Sequence, residues 1–109
     1  MRVRLTEILT TASAVANFKG EPEVRAGHLL SAIAMLVGEQ SLDDLGRPVS
    51  PLVARMTGAG SGASAGVREL AQRWFSRQGG EVTYELTHEE LHALREELTE
   101  LASVEAAEE

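Results

Sequence analysis

Residues 5–36 read LTEILTTASAVANFKGEPEVRAGHLLSAIAML, and the spacing of their apolar side chains decides the kind of fold. Leu5, Ile8, Leu9, Ala12, Val15 and Ala16 recur at three- and four-residue intervals, the period of a helix with one narrow buried stripe. The small alanines in that stripe predict close approach of a neighbour. Lys19 to Glu23, with Gly20 and Pro22, breaks the pattern and turns the chain. A second helix is expected from about His28 to Val37, with Leu29, Leu30, Ile33, Leu36 and Val37 on its apolar face and Gly38 as its stop.

The same period continues downstream. SLDDLG, residues 41–46, reads as a short helical turn closed by Gly46, and Ser50 with Pro51 as an N-cap and first helical residue opening a short helix through Leu52, Val53 and Met56. Residues 57–66, TGAGSGASAG, offer little side chain to bury and predict a flexible connector. Val67, Leu70, Ala71, Trp74 and Phe75 then form another helical stripe, ended by Gly79 and Gly80. Val82 to Tyr84 is a brief extended or loop segment, and no other strand signal is present. A last helix should start after Thr87 with Leu91, Leu94, Leu98 and Leu101 on one face, leaving EAAEE, residues 105–109, as a frayed acidic tail. The expected class is therefore all-α, a small helical bundle.

A chain of 109 residues with 43% hydrophobic content can build one compact domain with one modest core. Without cysteine it has no disulfide framework, thiolate metal site or thiol nucleophile. MRVRLTEILTTASAVANF, residues 1–18, is interrupted by Glu7 and several threonines, so it reads as a mature cytoplasmic start and not as a signal peptide. No apolar run approaches the ~20 residues of a membrane span. The net charge of −7 is placed unevenly: residues 1–56 hold six Arg or Lys and six Asp or Glu, whereas residues 57–109 hold four and eleven. Such a surface repels phosphate backbones, and two Phe, one Trp and one Tyr give no base-stacking platform, so nucleic acid is not an expected partner.

The stretch 5–36 resembles the repeat of the Clp N-terminal domain, the helical module that binds substrates and adaptors in front of Clp-type AAA+ unfoldases. Val24 matches the family's β-branched position, and His28, Leu29 and Leu30 match its His-Leu-Leu helix start. Arg25, Ala26 and Gly27 stand where the family has its capping Thr, then Pro and Glu. A second copy can be traced in VRELAQRWFSRQGG, residues 67–80, and LTHEEL, residues 86–91. There Leu86 stands for Val24, Thr87 is the capping Thr, Glu89 the Glu and Leu91 the first Leu, while Glu90 replaces the repeat's His and His92 its second Leu. The resemblance implies two pseudo-repeats, 1–56 and 67–104, joined by the connector 57–66 and followed by the tail 105–109. It also implies that His28 caps or packs within its repeat, as the family's His does.

THEELH, residues 87–92, contains H-E-x-x-H, in which two His one turn apart hold zinc and the Glu activates the bound water. His88, Glu89 and His92 are thus the residues of an alternative reading, a small zinc metallopeptidase. Thr87 and Glu90, however, form a capping box with Leu86 and Leu91 as its hydrophobic staple, which puts His88 in the first, fraying turn. His92 is then free to pair with Glu96 at i+4. A third ligand is missing, because His28 is the one remaining His and Glu96, Glu97, Glu100 and Glu105 share the helix or its tail. No Walker motif is present, TGAGSGASAG lacks a phosphate loop's Lys, and Trp74 and Phe75 fit a core stripe.

The expected function is a non-catalytic protein-interaction module without cofactor or metal. Its expected partners are a Clp-type unfoldase, an adaptor or substrate polypeptides. The leucine face of the last helix and the Trp74 face are expected to lack full cover, which would also suit a homodimer.

Overall fold

The computed structural model describes residues 3–41, 62–77 and 85–107. Four helices account for most of them: α1 (Leu5–Lys19), α2 (Ala26–Leu36), α3 (Ala65–Arg77) and α4 (His88–Ala107). The architecture is all-α. The expected turn at 42–46, the helix at 50–56, residues 57–61 of the connector, Gly79 with Gly80, and the segment 82–84 lie outside the described residues.

Helix α1 buries Leu5, Ile8, Ala12, Val15 and Ala16, the stripe that its spacing predicts. Gly20 ends it in the left-handed conformation (φ 74°), from which its N–H reaches the carbonyls of Ala16 and Asn17. Glycine adopts that backbone at no steric cost. Helix α2 packs closely on α1 through Ala26, Leu29, Ala32 and Ile33, all fully buried, and α2 also packs against α4. Small side chains on both α1 and α2 let their backbones approach.

Each helix is preceded by a two-residue strand: β1 (Val3–Arg4), β2 (Glu23–Val24), β3 (Gly62–Ala63) and β4 (Glu85–Leu86). β1 pairs antiparallel with β4, setting Val3 opposite Leu86, and β2 pairs parallel with β3, setting Val24 opposite Ala63. These strands are a departure from the sequence reading. Two residues carry no alternation to detect, so the ladders follow from the packing that brings helix starts together. Both ladders join the first half of the chain to the second, and an Arg4–Glu85 ion pair of 3.7 Å flanks the first.

Three expectations are corrected. Residues 62–66, read as the end of a flexible connector, form β3 and open α3, where Ser64 Oγ accepts the Val67 N–H at 3.3 Å. The tail is not frayed at its start: α4 runs to Ala107, and Glu105 accepts the backbone N–H of Ala26 at 2.8 Å. Finally, the leucine and tryptophan faces are covered. Trp74 is 2% exposed and Leu94 and Leu98 are fully buried, so the argument for a homodimer through those faces is lost. Helix α3 closes that side of the core with Val67, Leu70 and Trp74, and Gly66 admits Leu101 so closely that a Cβ there would lie 2.5 Å from a Leu101 methyl. Among the described residues only Val104 is a large hydrophobic side chain left exposed. None of these helices is long and apolar enough to cross a membrane.

Candidate functional site

The H-E-x-x-H stretch forms the capping box that its sequence predicts. Thr87 Oγ1 accepts the Glu90 N–H at 3.1 Å, and Glu90 Oε1 accepts the Thr87 N–H at 3.0 Å. Leu86 and Leu91 are buried as the staple. His88 and Glu89 stand exposed in the first turn, and His92 Nε2 lies 3.1 Å from Glu96 Oε1 with both side chains in solvent. Among the described residues no group of three His, Asp or Glu side chains is placed to hold a metal ion. The box makes a prediction: Thr87→Ala should cost about 1 kcal/mol, read as a lower midpoint in urea denaturation. Glu89→Ala, which removes neither hydrogen bond, should leave the midpoint unchanged.

His28 is differently placed. It is 5% exposed, its Nδ1 accepts the Arg25 N–H at 2.9 Å, and its Nε2 lies 2.6 Å from Glu21 Oε2. A backbone N–H can only donate, so Nδ1 carries no proton and Nε2–H is directed at the carboxylate. Both ring nitrogens are thereby engaged. The side chain of Arg25 makes no N-cap hydrogen bond, and two other groups take over the start of α2: His28 holds the N–H of Arg25 and Glu105 that of Ala26.

Two concave surfaces flank the β2–β3 ladder. One is a polar cleft of about 580 Å³ lined by Glu23, Glu69 and Glu105, by Arg25, and by Ser64 with the first residues of α3, Ala65 and Gly66, and also by Leu101 and Val104. The other, of about 400 Å³, is an apolar groove between α1 and α3. Buried Val24 and Val67 lie under it, and Leu9, Ser13, Gly62, Ala63 and Ala71 line it. Among the described residues Arg68 is the one charged side chain on it. Across the molecule, Arg95 ties α4 to the turn after α2 by a two-pronged bond to Glu39, with distances of 2.9 and 3.5 Å. The hydrogen bond and charge of that guanidinium hold the Glu39 carboxyl below the usual carboxylate range.

Sequence reasoning placed the THEELH contacts, but it put the start of α2 at His28 where the helix begins at Ala26, and it missed Glu105 and the Arg68 groove. Glu105 and Ala26 are far apart in the chain, and the groove depends on how α1 and α3 meet. No family model, curated protein or solved structure matches the chain.

Proposed function

We propose that the chain is a non-catalytic protein-interaction domain, built like the Clp N-terminal domain and docking substrate or adaptor polypeptides beside a Clp-type unfoldase. The observation that carries this reading is the matched construction of the starts of α2 and α4. In each, a strand residue is buried (Val24, Leu86), the third helical side chain accepts the N–H of the residue before the helix (His28, Glu90), and the next is a buried leucine (Leu29, Leu91). The preceding helices keep the same order, with Leu5, Ile8 and Ala12 buried in one and Val67, Leu70 and Trp74 in the other. Two halves made to one rule are what the resemblance requires.

The apolar groove supports docking, since a shallow apolar surface with a charged edge is a common form of peptide site. Non-catalytic action is supported by the engagement of both His28 nitrogens and by the solvent position of His88, Glu89 and His92. The test is retention of the immobilised full chain on a purified Clp-type unfoldase and on carboxymethylated, permanently unfolded lactalbumin. Retention of either at micromolar concentration is the expected result. Loss of both would end the reading, as would zinc-dependent cleavage of the lactalbumin that is abolished by Glu89→Gln.

A further inference from the structure

The apolar groove between α1 and α3 carries a positive charge that no described residue pairs with. Arg68 is exposed at its edge and makes no ion pair with any described residue, whereas Arg4, Arg73 and Arg95 are each paired with a glutamate. Its own helix offers no partner: the positions three and four residues away on either side are Ala65, Ser64, Ala71 and Gln72. Glu69, one residue on, turns to the polar cleft on the other side. In a chain of net charge −7, a guanidinium unpaired among the described residues beside an apolar floor is a local reversal of sign.

We infer that this groove binds an extended peptide segment in which an aliphatic side chain neighbours an Asp or Glu. The aliphatic group would lie over Val24 and Val67, where burial of apolar area drives binding. The carboxylate would accept from Arg68, whose planar fork suits two parallel hydrogen bonds. The volume of about 400 Å³ admits a few side chains and not a folded partner. Gly62 lines the groove, and a Cβ added there would meet no atom within 4 Å. This inference rests on the docking reading, and specifies its ligand.

The test is fluorescence anisotropy of the full chain with blocked hexapeptides, acetylated and amidated, of alternating leucine and glutamate or of leucine and glutamine. The glutamate peptide should bind about fivefold more tightly, the ratio expected of one partly exposed ion pair, and added salt should narrow the gap. Arg68→Ala should make the two peptides equal. Gly62→Leu, which adds a bulky side chain at a groove-lining position whose Cβ meets no neighbour, should weaken both. Circular dichroism serves as the folding check for each variant. Equal binding by the native chain, a preference that survives Arg68→Ala, or tighter binding of a glutamine peptide with a free terminal carboxylate would overturn the inference. So would the absence of peptide binding by a chain that still retains unfolded lactalbumin; that outcome leaves docking standing and removes only this site. Loss of peptide, lactalbumin and unfoldase together removes both.

Discussion

Trp74→Ala should bring the domain close to unfolding, with a loss of about 4 kcal/mol in denaturant titrations followed by circular dichroism. The indole is 2% exposed in the core formed by all four helices, and it is the largest fully buried side chain of the described residues. Its removal leaves a cavity that Val67 and Leu70, held on the same helix, are poorly placed to fill. A domain of this size has a total stability of roughly 5–15 kcal/mol, so the variant should be marginal at room temperature. Two polar contacts are lost with it. The Trp74 Nε1–H donates to Glu97, and the Arg77 guanidinium lies 4.6 Å from the ring centroid. Trp74→Phe separates these contributions, because it keeps most of the apolar volume and removes the donor. Glu97 is half-buried, keeps Arg73 at 3.5 Å and can be rehydrated, so the phenylalanine variant should lose only about 1 kcal/mol beyond the smaller ring. Equal losses for the two variants would mean that the Glu97 contact, and not packing, holds α3 in place.

What the sequence revealed and what it hid follow from the range of the interactions. The stripes of α1, α3 and α4 were legible because period and burial are properties of one helix, and Leu94 and Leu98 sit at 0% exposure as their spacing requires. The Thr87–Glu90 box was legible because both partners lie within one turn. The early start of α2 was not. Arg25 is a poor capping residue, and the groups that satisfy that helix end are an imidazole held by a turn and a carboxylate 79 residues away. The same holds for β3. Gly62 and Ala63 carry no strand pattern, and they are extended because β2 is there to pair with them. Cover of the leucine face was misread for a related reason: the stripe of α3 specifies that it is buried, but not that α4 is what it is buried with. Arg68 looked unremarkable in the sequence, since its lack of a partner among the described residues appears only when Glu69 and Leu9 are placed on different sides of it.

Replacement of His28 distinguishes a structural knot from mere packing. His28→Ala should destabilise the domain by about 2–3 kcal/mol, combining lost burial with an Arg25 N–H deprived of its acceptor at a helix start whose N-cap side chain makes no capping bond. His28→Gln should recover most of that loss. Its amide oxygen can accept from Arg25, as the third residue of a capping box does, while its NH₂ is directed to Glu21 in place of Nε2–H. His28→Glu should fall between them: Glu90 shows that a carboxylate can hold the N–H before α4, but at position 28 it would be buried against Glu21, which already lies 2.6 Å from the imidazole. The ordering Gln above Glu above Ala, read as midpoints of urea denaturation at neutral pH, is the expected result. If Glu21→Gln is added, the penalty on His28→Glu should shrink, because the like charge it faces is gone, whereas His28→Ala should be unaffected. An equal penalty for Gln and Ala would show that ring packing alone keeps histidine at this position, and that the hydrogen bonds from Arg25 and to Glu21 contribute nothing to holding α2 against the turn after α1.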